Sequence, residues 1–186
     1  MAVAVELDTR ARILDAAFAS CERYGIARTT LADVAREARL SRQTLYRYFD
    51  SRDALFGAVV HREEARFIEA VREAIEPIDD LRAALETAVA TFLRLMRGHP
   101  LLDKVMASEP QELLPYLAVG RSPVLELARK LMEVVFATRA RGCANVERAA
   151  ETCARVLISY AISPPTGSVD EVASSLAELI TRGVHP

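Results

Sequence analysis

The segment from residue 29 to residue 49, TTLADVAREARLSRQTLYRYF, limits the possible folds of this chain more than any other feature. Its pattern predicts two short helices joined by a tight turn. Thr29 and Thr30 are suited to cap the first helix, because hydroxyl oxygens accept hydrogen bonds from the free N–H groups at a helix start. Four apolar residues then follow at helical spacing and predict one buried stripe, namely Leu31, Val34, Ala35 and Ala38.

The second helix of the pair has a chemically distinctive outer face. Ser41 is a suitable cap, and Leu45 and Phe49 lie four residues apart on the predicted inward side. The outward residues are Arg42, Gln43, Thr44, Tyr46 and Arg47. Such side chains suit the major groove of DNA, which indicates a helix-turn-helix DNA-binding unit. The alternative is an ordinary amphipathic helix with a solvated basic face, against which the tyrosines and the scarcity of carboxylates argue.

Residues 9–56 resemble the TetR family of bacterial transcriptional regulators. The matching segments are ILDAA at 13–17 with Phe18, YG at 24–25, TTLADVA at 29–35, SRQTLYRYF at 41–49 and SRDAL at 51–55. The resemblance covers about the first third of the chain, and the rest agrees in length, helicity and an apolar C-terminal end. It implies an all-α fold, with a three-helix helix-turn-helix domain at 1–50. A long helix would join this domain to a helical effector-binding and dimerisation domain at 51–186.

One position departs from the family pattern. The family commonly has glycine in the turn where this chain has Arg39. Glycine suits a left-handed backbone at no steric cost, so arginine must tolerate that geometry or the turn must differ. Arg39 also adds a positive charge beside the predicted DNA face.

The predicted DNA contacts fall into two groups. Arg42, Gln43 and Thr44 lie in the first turn of the reading helix and are expected to meet base edges, since arginine suits guanine and glutamine suits adenine. The family pattern assigns other side chains to phosphates, with Tyr46 also near a thymine methyl. The full predicted set is Thr30, Arg39, Ser41, Arg42, Gln43, Thr44, Tyr46, Arg47, Tyr48 and Arg52.

The distribution of charge agrees with this assignment, although the formal net charge is −2. From Arg36 to Arg52, five arginines face two carboxylates, a local charge of +3, whereas residues 53–186 carry 15 basic and 19 acidic side chains. A basic head on a mildly acidic body favours a specific DNA binder over a nonspecific one.

Composition excludes several other classes. Half of the residues are apolar, so a disordered chain is not expected. No apolar run is long enough to span a bilayer, and the first residues lack a signal-peptide pattern, so we expect a cytoplasmic protein. Three cysteines (21, 143 and 153) and three histidines (61, 99 and 185) show neither metal-ligand spacing nor a catalytic signature. We therefore expect buried cysteines, no metal, no cofactor and no enzymatic activity.

The coarse helix map follows from periodicity and from breakers. Helices are predicted over about 9–24, 30–38, 41–48, 50–75, 79–97, 122–141, from a cap at Asn145 to just before 163, and 169–182. A broken region is predicted from 101 to 120, where Pro110 and Pro115 interrupt the pattern.

Apolar side chains in the body either fill a core or line an effector cavity, and the family resemblance favours a cavity. Methionine and phenylalanine suit adaptable apolar sites, and few interior charges are expected, which predicts an apolar or weakly polar effector. The predicted ligand-binding residues are Phe67, Phe92, Met96, Met106, Leu117, Leu131 and Val135.

The last two helices have wide apolar faces with small residues that allow close approach. The family resemblance implies a two-fold four-helix interface between protomers, and packing within one chain is the alternative. The predicted interface residues are Val146, Ala149, Ala150, Cys153, Leu157, Tyr160, Val172, Leu176, Leu179 and Ile180.

Together these features predict a dimeric, ligand-responsive repressor of a near-palindromic operator, released when a small effector shifts the long fourth helix. An activator of the same fold is the first alternative. A helical ligand carrier or an enzyme with a vestigial head is the second, but the intact reading helix and the lack of a catalytic cluster argue against these two.

Overall fold

A computed structural model describes residues 2–108, 123–140, 144–163 and 165–184, and every regular element in these ranges is an α-helix. The helices are α1 (Ala2–Tyr24), α2 (Leu31–Glu37), α3 (Arg42–Tyr48), α4 (Arg52–Ile75), α5 (Leu81–Arg97), α6 (Pro100–Ser108), α7 (Pro123–Arg139), α8 (Val146–Ile162) and α9 (Val169–Val184). The predicted all-α fold is confirmed.

The described residues form two compact units. The first contains residues 2–64 and 100–108, and the second contains 65–99 with the described residues from 123 onward. The division falls within α4, between Glu64 and Ala65.

The first unit is built around the predicted helix-turn-helix. Leu45 of α3 is fully buried, and it packs with apolar side chains from α1, α2 and the start of α4. The central members of this core are Ile13, Leu14, Ala17, Val34, Ala35, Ala38, Phe49, Leu55 and Val59. A second, smaller cluster joins Cys21, Phe56 and Leu101. These contacts fix the base of α3 and leave its opposite side to solvent.

Short-range hydrogen bonds explain where α2 and α3 begin. The Thr30 hydroxyl accepts from the Asp33 N–H at 3.2 Å, and the Asp33 carboxylate accepts from the Thr30 N–H at 3.2 Å. This reciprocal pair is a capping box. The Ser41 hydroxyl accepts from the Thr44 N–H at 3.0 Å and caps α3. The predicted caps at Thr30 and Ser41 are therefore confirmed. Thr29 is not a cap, because it is buried and its hydroxyl donates to the Gly25 carbonyl at 2.7 Å.

Some predicted boundaries differ from the structure. α1 extends back to Ala2, because no breaker precedes Thr9. Pro100–Ser108 is helical, which corrects part of the predicted broken region. Asn145 precedes α8 with a left-handed φ of 56° and makes no side-chain capping bond. An N-cap side chain usually reaches the helix from an extended backbone, so the predicted cap at Asn145 is wrong. Pro110, Pro115 and Leu117 lie outside the described residues.

The second unit has one core, formed by the end of α4 and by α5, α7, α8 and α9. α5 packs against α9, and α7 packs against α8. Ala173 and Ala177 are fully buried on α9, and their small side chains allow close approach of neighbouring helices. Arg139 binds the backbone at the end of α4. Its Nη2 donates to the Ile75 carbonyl and its Nε donates to the Ile78 carbonyl, both at 2.6 Å. No helix within the described ranges is both long and apolar enough to cross a bilayer.

Candidate nucleic-acid interface

The exposed side of α3 presents a compact polar surface. Because a helix turns by about 100° per residue, Arg42, Gln43, Tyr46 and Arg47 fall within an arc of about 140°. All four are exposed, whereas Leu45 on the other side is fully buried. α3 has seven residues and is about 10 Å long, and an α-helix with its side chains is about 10–12 Å in diameter, which fits a major groove about 12 Å wide.

The polar groups on this surface are largely uncommitted. Within the described part of the chain, the side chains of Arg42, Gln43 and Tyr46 make no hydrogen bond, and Tyr46 is 53% exposed. Arg47 places its guanidinium 5.4 Å from the centre of the Tyr48 ring, and Tyr48 packs in turn against the core of the first unit. A guanidinium, a carboxamide and a phenol thus point outward from a rigid base, as required for hydrogen bonding to DNA.

Three predicted contacts also have a structural role. The Thr30 hydroxyl donates to the Asp33 carboxylate at 2.5 Å while it accepts from the Asp33 N–H. Ser41 and Thr44 share a hydrogen bond of 2.8 Å between their hydroxyl oxygens. These hydroxyls hold the starts of α2 and α3, so any contact with DNA is made by groups that also cap a helix.

The turn between α2 and α3 has the left-handed residue that its pattern requires. Arg39 has a φ of 55°. Its N–H donates to the Arg36 carbonyl at 3.1 Å, and the Leu40 N–H donates to the Ala35 carbonyl at 2.8 Å, which together form a Schellman motif. Arg12 of α1 also donates to the Ala38 carbonyl at 3.0 Å. The turn therefore keeps its geometry with arginine at a position that favours glycine.

Arg52, which was predicted as a phosphate contact, has a structural role within the first unit. It is partly buried, and its Nη2 and Nε donate to the Ile26 carbonyl at 2.5 Å and the Thr29 carbonyl at 3.2 Å. The guanidinium also lies 4.7 Å from the centre of the Phe56 ring. Arg52 thus ties the start of α4 to the loop before α2, a role that no local sequence signal indicates.

Comparisons with known proteins agree with this geometry. Residues 13–59 match the sequence profile of bacterial regulatory proteins of the tetR family, and residues 80–182 match the bacterial tetracyclin repressor C-terminal domain. The chain belongs to the TetR family of bacterial transcriptional regulators. Its helix-turn-helix is therefore the DNA-binding part of a transcriptional regulator, not of an enzyme.

Individual relatives extend the likeness over most of the chain. The HTH-type transcriptional regulator Rv1255c of Mycobacterium tuberculosis is 33% identical over 94% of this chain and 85% of its own length. The crystal structure of the TetR family repressor AlkX from Dietzia sp. is 28% identical and covers 94% of both chains with a TM-score of 0.70. AlkX of Mycobacterium tuberculosis is 28% identical over 82% of this chain and 74% of its own length.

Four of the predicted ligand-binding residues belong to the same hydrophobic core. Phe67, Phe92, Leu131 and Val135 belong to the core of the second unit, with Met96 half-buried against it. The rings of Phe67 and Phe92 meet edge to face at 6.5 Å. His99, which no sequence pattern pointed to as a ligand-binding residue, places its ring 5.4 Å from that of Phe67. Met106 does not join them, since it lies on α6 in the first unit and is 37% exposed. Leu117 is outside the described residues.

The predicted dimer residues divide by burial within a single chain. Leu179 is 68% exposed, and four others are half-buried, namely Val146, Ala149, Ala150 and Tyr160. The other five are already buried by neighbouring helices, namely Cys153, Leu157, Val172, Leu176 and Ile180. A side chain covered within its own chain has little surface left for a partner, so Leu179 and the half-buried residues have the most surface available, and the interface stays a prediction.

Cys21 and Cys153 are buried and form no disulfide within the described residues, and Cys143 lies outside those residues. Burial raises the pKa of the Cys153 thiol to about 12. The reactive form of cysteine is the thiolate, so Cys153 is an inert apolar group at neutral pH.

Proposed function

We propose that this protein is a cytoplasmic repressor that binds a near-palindromic operator as a homodimer and is released by a small apolar effector. The exposed, uncommitted polar surface of α3 carries the proposal. In a dimer, two such helices would enter major grooves about one DNA turn apart, roughly 34–36 Å. In this proposal residues 1–50 bind DNA, and residues 51–186 bind the effector and the partner subunit.

The effector is proposed to be apolar because the aromatic and aliphatic side chains of the second unit converge around Phe67 and Phe92. AlkX of Dietzia sp., which is similar to this chain, is a repressor implicated in the biodegradation of n-alkanes. Such an effector would release DNA only if it binds the DNA-free conformation more tightly than the DNA-bound one.

Selection of bound sequences from random DNA tests operator recognition. We expect the parent protein to select an inverted repeat. Gln43→Ala should lose preference at one base pair in each half-site, because a single exposed carboxamide is removed from the reading surface. Lys130→Ala, at an exposed position on α7, is the matched control and should select the parent sequence. An unchanged preference profile for Gln43→Ala would contradict the base-reading role.

An operator-release assay with n-hexadecane as the probe tests the effector class. Release of the parent protein is the expected result. Met96→Gln, which places an amide in the half-buried apolar region, should respond less while binding the operator normally. Thermal melts of both proteins separate a lost response from lost folding, since core changes cost about 1–3 kcal/mol. A well-folded Met96→Gln protein with the parent's response would contradict this pocket assignment.

In vitro transcription from the selected operator distinguishes a repressor from an activator by the sign of its effect.

A further inference from the structure

A second basic surface lies apart from the reading face of α3. A groove of about 330 Å³ is lined by Arg23, Tyr24, Arg28, Asp33 and Arg36, and we refer to it as the basic groove. All five residues belong to the first unit, at the end of α1, in the loop after it and on α2. None of them was among the predicted DNA contacts.

The carboxylates at the groove are already engaged. Asp33 accepts from the backbone and hydroxyl of Thr30 and from Arg36 Nη2 at 2.8 Å. The hydrogen bonds from Thr30, with the charge of Arg36, lower the pKa of Asp33. Glu37, next to the groove, lies 3.4 Å from Arg23. Three guanidinium groups thus face two carboxylates, which leaves a surplus of one positive charge.

Arg28 carries this surplus. Its Nε donates to the Tyr24 carbonyl at 3.1 Å, which orients the guanidinium beside the groove. Arg28 is exposed, and it pairs with no carboxylate within the described ranges. The four N–H groups on its terminal nitrogens are therefore available for an anion with several acceptor oxygens. A phosphodiester fits, because arginine binds phosphate through paired, charge-assisted hydrogen bonds.

The position of the groove along the chain places it between predicted DNA contacts. Its residues extend along α2, which is about 10 Å long and runs between Thr30 and Arg39, two predicted DNA contacts. Arg52 holds the carbonyls of Ile26 and Thr29 on either side of Arg28, so the loop is fixed. We infer that the basic groove binds a backbone phosphate of the operator through Arg28, outside the bases read by α3. The inference rests on the proposed operator binding.

Salt dependence of operator affinity tests this contact. Each neutralised phosphate contributes about 0.9 to the slope of log K against log salt concentration. Arg28→Ala removes one contact from each half-site of the dimer, so it should reduce the slope by about twice that amount without changing the preferred sequence. Arg28→Lys should restore most of the slope. Arg72→Ala, an exposed arginine of the second unit paired with Glu69, is the charge-matched control and should keep the parent slope.

Single methylphosphonate substitutions in the operator locate the contact. At one phosphate in each half-site, the methylphosphonate should lower the operator affinity of the parent and of the Arg72→Ala control. At the same phosphate it should not lower the operator affinity of Arg28→Ala, which has already lost this contact. Equal losses for parent and Arg28→Ala at every phosphate, or a parent-like slope for Arg28→Ala, would overturn the inference. Failure of the parent to select any DNA sequence would instead overturn the proposed operator binding. Thermal melts ensure that only folded variants are compared.

Discussion

Arg52 at the start of α4 donates a 2.5 Å hydrogen bond to the carbonyl of Ile26, in the loop before α2. The same guanidinium donates to Thr29 and packs against the Phe56 ring. The loop carries Arg28 and leads into the capping residue Thr30, so this contact positions one edge of the DNA-binding unit. The side chain therefore has a structural role within the protein, and its phosphate contact stays a prediction.

Replacing Arg52 with alanine should therefore lower stability first. Hydrogen bonds to charged groups contribute about 1.5–3 kcal/mol, so we expect Arg52→Ala to lower the free energy of unfolding by about 2–3 kcal/mol in urea denaturation. Arg52→Lys should recover only part of this, because lysine lacks the planar fork that reaches two carbonyls. At a temperature where both proteins are folded, the salt slope of operator binding should stay unchanged. If Arg52→Ala instead reduced the salt slope of operator binding and kept the parent's free energy of unfolding, Arg52 would be a phosphate contact and not a structural residue.

Replacing Arg39 with glycine should raise stability. A left-handed backbone costs a residue with a Cβ about 1–2 kcal/mol, and the flexibility of glycine in the unfolded chain offsets part of the gain. We expect Arg39→Gly to increase the free energy of unfolding by about 0.5–1 kcal/mol. Ala32→Gly, within α2, is the control and should destabilise by a similar amount. A destabilised Arg39→Gly protein would mean that the arginine side chain outweighs its backbone cost.

A charge at Leu179 should separate the proposed dimer. This side chain is 68% exposed on α9, and burying an unpaired charge in an interface is costly. Light scattering should give a monomer for Leu179→Glu with helical circular dichroism retained, and a dimer for the exposed control Lys130→Glu. A charge at Leu157 would be a poor test, because that fully buried residue supports the core of its own chain. A folded Leu179→Glu dimer would place the interface elsewhere.

Cys153 should resist thiol reagents until the protein unfolds. Burial raises its pKa to about 12, so it is protonated in the folded protein at pH 8. Its contribution to stability is fully present below the ordinary pKa of a thiol and falls as pH rises toward 12, because the unfolded thiol ionises first. After treatment with iodoacetamide at pH 8, peptide mass spectrometry should find Cys153 alkylated in 8 M urea and unmodified in buffer. Rapid labelling in buffer would show that this core opens readily.

The sequence by itself determined the local structure of the DNA-binding unit. The capping box at Thr30, the cap at Ser41 and the left-handed turn at Arg39 depend on residues within a few positions of each other. Such short-range chemistry predicts both caps from residue order, whereas the sequence left open whether Arg39 adopts the left-handed backbone or the turn differs. The inward placement of Leu45 follows in the same way from helical period. Phe67 and Phe92 were predicted to line an effector cavity, with core filling as the alternative, and the sequence did not indicate their edge-to-face contact.

Only the tertiary structure decided which partner each long-range side chain meets. Arg52 pairs with carbonyls more than twenty positions away, and the basic groove joins α1 to α2 across an intervening loop. The same applies to α9, where Leu176 faces the core and Leu179 faces solvent although both are leucines on one predicted apolar face. The physical reason is that burial depends on which helices pack together, whereas periodicity specifies only that a helix has an apolar side.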